Sequence, residues 1–107
     1  MRMAEGVNCD LEELSFFAQR ICSNLEFQKV DSIMNEMYSI LLNRTDSDDK
    51  KIELENRQSN WVEKRRFKSS QISDGYRGHH LGIIYLQKMV EMTVTRKEEL
   101  EKLLQKM

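Results

Sequence analysis

The sequence contains no proline, and glycine, cysteine and tryptophan are scarce, with four, two and one occurrences in 107 residues. Proline has no backbone N–H and interrupts the hydrogen bonding of a helix, so its absence leaves long helices possible. No stretch approaches the roughly 20 apolar residues that a membrane-spanning helix needs. The start, MRMAEGVNCD, also lacks the apolar core of a secretory leader. We therefore expect a soluble chain that is either cytosolic or already processed.

Neither sign of charge is in excess. The chain has 17 basic and 18 acidic residues and a net charge of −1, which gives no overall attraction to nucleic acid or anionic lipid. The basic run EKRRFK at 63–68 is offset by the acids of the same predicted helix, as in a solvated helix end. A length of 107 residues suits one core. We expect a single helical domain over 9–107, preceded by a tail at 1–8.

The spacing of the apolar residues predicts an all-α fold, because a three-and-four periodicity recurs and the alternation typical of strands is missing. The prediction is a small, mostly antiparallel bundle of about four helices. The first is expected to start at the N-cap Asp10 and to carry Leu14, Phe17 and Ile21 on one face. Apolar periodicity, capping residues and glycines together place the four helices at about 10–22, 25–42, 47–69 and 80–105, with Ser47 or Asp46 at the start of the third.

The third predicted helix has a thin apolar stripe with polar residues in it. Its inward positions are Ile52, Leu54, Gln58, Trp61 and Arg65. Trp61 is expected to be a large anchor at the core boundary. An arginine fork held inside a bundle needs a carboxylate, and Asp31 on the second predicted helix is a candidate partner for Arg65.

The two cysteines, Cys9 and Cys22, lie thirteen positions apart. An even, minimal count suits one local disulfide as well as two unrelated buried thiols, and composition alone does not separate them. A disulfide would require an oxidising compartment.

The segment DGYRGHH at 74–80 holds both histidines of the chain. Adjacent side chains at a helix start diverge by about 100°, so His79 and His80 are poorly placed to bind one metal ion. No serine or cysteine is arranged with a histidine and a third group as an activated nucleophile, and no pair of carboxylates is placed for glycosidase chemistry. The sequence therefore predicts a protein that is not an enzyme and uses no metal or cofactor.

Four segments together resemble the LprI-type lysozyme inhibitors, a small exported bacterial family. They are CSNLEFQKVDSIMNEMYSILL, QSNWVEKR, GYRGHHLGIIY and MTVTRKEELEKLL, and the resemblance covers about 9–105. Each motif is weak alone, but their order and spacing are specific. The positions that match the family pattern are Cys22, Asp31, Asn35, Tyr38, Gln58, Trp61, Arg65, Gly78, Thr93, Arg96 and Leu100. Structural roles are expected for Asp31, Asn35, Tyr38, Gln58, Trp61, Arg65, Thr93 and Arg96.

The chain also departs from the family pattern. Arg66 stands where the family has an aspartate, and Ser69 and about Lys88 stand where it has a second cysteine pair. The resemblance therefore implies one disulfide, between Cys9 and Cys22, and a following loop held by packing and hydrogen bonds. It also implies a periplasmic or cell-envelope location, with a leader removed before residue 1 and MRM added as a start.

The function implied by the resemblance is to bind and block an enzyme that acts on peptidoglycan. The target is either a host lysozyme or a toxin against which the chain is the immunity protein. An envelope interaction or stress protein without an enzyme target is the alternative.

Two surfaces are candidates for the contact with a protein partner. The first is the glycine-containing loop, which is otherwise a plain connection between two helices, with Tyr76, Arg77, Gly78, His79 and His80. The second is the acidic segment with Asp46, Asp48 and Asp49, which suits a cationic partner such as many lysozymes.

Overall fold

A computed structural model describes residues 8–10 and 15–107 and shows three α-helices in them. These are α1 (Phe16–Arg44), α2 (Asp48–Ser73) and α3 (Gly78–Gln105), and no strand occurs in the described ranges. The all-α prediction is confirmed, and the predicted number of about four helices is corrected to three. The expected tail at 1–8 lies outside the described residues except for Asn8. None of the helices in the described ranges combines the length and apolar character of a membrane span.

The two helices expected before residue 43 are one continuous helix of 29 residues. Its N-cap is Ser15, whose Oγ accepts a hydrogen bond from the Ala18 amide at 3.1 Å, so the predicted N-cap Asp10 is wrong for this helix. Neither glycine nor proline separates Ile21 from Leu25, and the apolar spacing continues between them, so nothing ends the helix there. Leu14, predicted to face the core, lies outside the described residues.

The other predicted boundaries are close to the structure. Ser47 caps α2 by accepting a hydrogen bond from the Lys50 amide at 3.4 Å, and two acids follow in the first turn. α2 continues four residues beyond the expected end at Ser69. It ends where Asp74, at φ −59° and ψ 134°, leaves the helical conformation, one residue before Gly75 at φ 92°. Three residues connect α1 to α2, and four connect α2 to α3.

α3 packs against both other helices, and its contact with α1 is the more extensive. Phe16 and His80, near the starts of α1 and α3, contact each other, so these two helices run parallel while consecutive helices are antiparallel. The molecule measures 49 × 29 × 21 Å, with a radius of gyration of 16.3 Å. A compact chain of this length is expected at about 13 Å. The bundle is therefore elongated, with two well-separated end faces.

The apolar core is small. Met34, Leu41 and Leu100 are buried together. The residues that pack around this cluster are Met37, Tyr38, Leu54, Trp61 and Leu104. Two positions predicted to face inward are exposed instead, namely Phe17 at 43% and Ile52 at 55%. In a bundle of three helices each helix has fewer neighbours than in one of four, so a narrower stripe is buried.

Candidate functional site

A buried polar network joins the three helices. Arg65 on α2 donates from Nη1 to Asp31 Oδ1 of α1 at 2.7 Å and to Thr93 Oγ1 of α3 at 3.0 Å. Its guanidinium lies 5.2 Å from the ring centroid of Phe27 and 4.6 Å from that of Trp61. The ion pair expected between Arg65 and Asp31 is thus present, between α1 and α2.

A second set of contacts continues the network along the bundle. Gln58 Nε2 donates to Met34 Sδ at 3.2 Å, and Arg96 Nε donates to Gln58 Oε1 at 2.9 Å. Near this set, burial raises the pKa of Tyr38; the charge of Glu55 adds to the rise, and Arg96 opposes it. The network thus links α1 through α2 to α3 by side chains alone.

Asn35 extends the network on the surface of α1. Its Nδ2 donates to Asp31 Oδ2 at 3.4 Å, so Asp31 accepts from both Arg65 and Asn35. The carboxylate is therefore held by two partners on different helices.

A disulfide holds the segment before α1 at one end of the bundle. Cys9 and Cys22 are bonded at 2.04 Å with their Cα atoms 5.7 Å apart, which matches the pairing implied by the resemblance. Cys22 lies in the second turn of α1, so residues 8–10 are tied to the end at which α1 begins. Cys9 and Cys22 are the two cysteines of the sequence, so this bond uses both of them.

Aromatic and histidine side chains meet at this same end. Phe16 stacks on His80 with ring centroids 5.1 Å apart, and the Tyr76 ring meets the His80 ring edge-on with centroids 4.7 Å apart. Phe17 contacts His79 edge-on at 5.4 Å. The first turns of α1 and α3 and the connection from α2 therefore form one surface.

We call this surface the aromatic end face. It consists of Phe16, Phe17, Tyr76, Arg77, His79 and His80. Phe16, Phe17 and Tyr76 are 55%, 43% and 41% exposed, so the stacking leaves much of their surface in water. Arg77 is exposed at the N-cap of α3 and makes no side-chain capping hydrogen bond. Gly78, at φ 58°, permits the turn into α3.

Sequence reasoning found the loop residues of this face and missed Phe16 and Phe17. The apolar spacing predicts that Phe17 faces the core, and it assigns no role to Phe16. Two adjacent phenylalanines in one helical turn point about 100° apart, so a narrow buried stripe cannot cover both. The adjacent pair was therefore the sequence feature that could have indicated an exposed phenylalanine here.

A cavity of about 650 Å³ lies beside the aromatic end face, between α1 and α3. Phe17 and His79 form part of its wall, together with Arg20 and Tyr85. Arg20 lies across Gly82, where an added Cβ would come 2.6 Å from Arg20 Nε. The absence of a side chain at Gly82 thus allows α3 to accept the Arg20 guanidinium against its backbone.

The acidic segment lies at the opposite end of the bundle. Asp46, Asp48 and Asp49 are exposed where α1 ends and α2 begins. A pocket of about 360 Å³ lies at this end, and Asp46 lines it together with Arg44 and Lys50. These two basic side chains offset part of the negative charge of the segment. The structure therefore does not bring the two candidate surfaces together, and a single compact contact cannot use both.

No cluster of three or more metal-binding side chains occurs among residues 8–10 and 15–107. His79 and His80 instead contact aromatic rings. The aromatic end face carries aromatic rings, a guanidinium and imidazole hydrogen-bonding groups, which are suited to binding a partner.

The family described as Lysozyme inhibitor LprI matches the chain over residues 13–100. The match spans most of the sequence, including the whole polar network, and the chain belongs to this family. It is thus an inhibitor of a peptidoglycan-acting enzyme and not itself an enzyme, with a lysozyme as the partner that the family implies. Members of the family are generally exported. No curated protein and no solved structure matches the chain.

Proposed function

We propose that the chain inhibits its target by placing the aromatic end face over the cleft in which the enzyme binds peptidoglycan. The observation that carries this proposal is the cluster of exposed rings. Phe16, Phe17 and Tyr76 are each more than 40% exposed and fixed by contacts with His79 and His80. Rigid aromatic side chains lose little conformational entropy on binding and are enriched at the energetic centres of interfaces.

The size of the end of the bundle supports this mode of contact. A cross-section of 29 × 21 Å corresponds to about 600 Å², and one side of a standard protein interface is about 800 Å². A narrow end can enter a concave site more easily than the 49 Å side of the molecule can. The end face is held by three helices and the disulfide, so it is organised before it binds.

Arg77 supplies charge to the proposed contact. Glycoside hydrolases act through a pair of carboxyl groups in the cleft. Arg77 is exposed, and none of the ion pairs among the described residues involves it. Its guanidinium is therefore available to bind a carboxylate in a bidentate manner and to occupy the position of the sugar.

We further propose that the chain acts in the periplasm or cell envelope as one helical domain over 9–107. The disulfide supports a location outside the reducing cytosol. The target is a host lysozyme or a toxin delivered by a competing bacterium, for which the chain would be the immunity protein. A panel of purified peptidoglycan-acting enzymes separates the two, since inhibition of only one class identifies the target. Binding to none of them would favour an envelope protein without an enzyme target.

The experiment is a paired substitution on the end face with a matched pair elsewhere. Tyr76→Ala with Arg77→Ala is expected to weaken inhibition of a lysozyme by more than tenfold, because interface aromatics and arginines often contribute about 2 kcal/mol or more each. Phe67→Ala with Arg66→Ala removes the same kinds of side chain from the exposed side of α2 and should leave inhibition unchanged. Thermal melts check that both variants are folded.

If the Tyr76 and Arg77 variant is folded and inhibits like the parent chain, the loop has no part in the mechanism. Loss of inhibition in the Phe67 and Arg66 variant alone would move the contact to the side of α2. Phe16→Ala with Phe17→Ala then tests the part of the face contributed by α1.

A further inference from the structure

A basic groove runs between α2 and α3, away from the aromatic end face. It encloses about 540 Å³. The cationic side chains along it are Arg57, Lys64 and Lys68 from α2 and Lys88 and Arg96 from α3. Only two carboxylates, those of Glu91 and Glu99, line the same groove. The groove is therefore positive on a chain whose net charge is −1.

The excess charge is concentrated on two lysines. Lys88 Nζ lies 3.0 Å from Glu91 Oε1, and Arg96 is occupied by Gln58 and Glu99. Arg57 Nη2 lies 2.6 Å from a Glu53 carboxylate oxygen.

Lys64 and Lys68 are exposed, lie one turn apart and form no ion pair among the described residues. They are the charges that an anionic ligand can neutralise.

The wall of the groove also carries groups that suit a sugar. Trp61 presents an aromatic surface, and Asn60 and Thr95 lie along the same groove. Thr95 Oγ1 donates to Glu91 O at 3.1 Å, so its lone pairs remain able to accept. An aromatic wall combined with a few placed amide and hydroxyl groups is the composition of a site for a polar ring ligand.

We propose that this groove binds a linear acidic polysaccharide, with its carboxylates on Lys64 and Lys68 and its sugar rings along Trp61, Asn60 and Thr95. The cations that line the groove from α2 span twelve residues, from Arg57 to Lys68, with a rise of about 16 Å. A linear chain of sugars can follow that length, with its carboxylates on Lys64 and Lys68, whose positions differ by a rise of about 6 Å. Nucleic acid fits less well because single-strand binding uses successive aromatic platforms, whereas Trp61 is the one aromatic residue lining this groove. A phosphatidylglycerol headgroup would pair with the lysines but has no sugar ring to lie along Trp61.

Such a site would keep the inhibitor on an anionic glycan while its end face stays free for the enzyme. The groove and the aromatic end face share no residue. The proposal therefore does not depend on the mode of inhibition, and the two can fail separately.

The test measures binding of polygalacturonate to the purified chain at several salt concentrations, with neutral dextran as the uncharged control. Binding is expected to weaken as salt rises, and dextran should not bind. Lys64→Glu with Lys68→Glu should weaken polygalacturonate binding by at least about tenfold, since each reversal replaces an attraction with a repulsion. Lys102→Glu with Lys106→Glu has the same spacing and charge change on exposed positions outside the groove, and should change binding by less than about twofold.

Both variants alter exposed side chains, so both should melt like the parent chain and inhibit a lysozyme equally well. The proposal is overturned if polygalacturonate does not bind, if dextran binds as well, or if both lysine variants lose binding equally. Tighter binding of duplex DNA or of phosphatidylglycerol vesicles than of polygalacturonate, through Lys64 and Lys68, would overturn the assignment of the ligand class.

Discussion

At the scale of single residues, α2 is held by buried polar side chains as well as by Leu54 and Trp61, which are partly buried and pack against the apolar core. Its buried residues are Gln58, Arg65, Ser69 and Ser73, none of which is apolar. The involvement of Gln58 and Arg65 could be predicted, because their spacing with Trp61 places them on one face of a helix. The stacking of Arg65 on Phe27 could not, because no local pattern states which aromatic of another helix will meet it. The same holds for the contact of Gln58 with Met34.

The Asp31 carboxylate is expected to matter more for stability than a surface ion pair. Asp31→Ala should lower the free energy of unfolding by about 3 kcal/mol, because it leaves the Arg65 charge buried without its partner. The side chain of Arg65 is only 10% exposed. Adding Arg65→Met should recover part of this loss, as measured by urea denaturation of the single and double variants. If the loss of unfolding free energy in the double variant equals the sum of the losses in the two single variants, Asp31 and Arg65 are not coupled.

Ser69 and Ser73 form a matched pair of buried hydroxyls with opposite expected effects. Ser69 is fully buried, and its Oγ has no hydrogen-bond partner in the described part of the chain. Ser69→Ala should therefore raise the free energy of unfolding by up to about 1 kcal/mol. Ser73 Oγ donates to Ser69 O at 2.7 Å. Ser73→Ala removes this hydrogen bond and should lower the free energy of unfolding by about 1 kcal/mol. Destabilisation by Ser69→Ala would indicate a partner for the hydroxyl.

At the scale of helices, local signals predicted some boundaries well. Asp46 or Ser47, with the acids that follow, predicted the start of α2, and Ser47 is the N-cap. The glycines at 75 and 78 predicted the break before α3, because capping and left-handed backbone are local properties. The continuity of α1 was not predicted. Ser23 and Asn24 are weak helix formers, but packing of α1 along α3 outweighs a propensity difference of less than 1 kcal/mol per residue.

The disulfide is expected to stabilise the beginning of α1. Cys9→Ser with Cys22→Ser should lower the free energy of unfolding by about 3 kcal/mol, because the bond closes a short loop in the unfolded chain. Thermal melts with and without a reducing agent provide the control, since the reductant should lower the melting temperature of the parent chain and leave the variant unchanged. If the reductant lowers the melting temperatures of the parent chain and the variant equally, the disulfide is not the source of their difference in stability.

At the scale of the whole molecule, the two candidate surfaces lie at opposite ends of a 49 Å bundle. The loop half of the aromatic end face could be predicted, since glycine and histidine interrupt a helical pattern. Its other half could not, because Phe16 and His80 are far apart in sequence and come together only through the parallel packing of α1 and α3.

The acidic end is expected to guide association without forming the contact. Asp48→Lys with Asp49→Lys should slow association with a cationic lysozyme at low salt and leave the dissociation rate unchanged, because exposed charges act mainly on the encounter. Surface plasmon resonance at two salt concentrations measures both rates. If the Asp48 and Asp49 variant keeps its melting temperature and dissociates much faster, the acidic end is the binding surface.

Competition at the enzyme's cleft tests most directly whether the aromatic end face blocks it. The affinity of the chain for a lysozyme is measured by calorimetry, first with the free enzyme and then with the cleft saturated by a short oligomer of N-acetylglucosamine. Occupied clefts should weaken binding of the chain by at least about tenfold, as for any two ligands of one site. Equal affinity for free and occupied enzyme would contradict cleft blocking and place the contact elsewhere on the lysozyme.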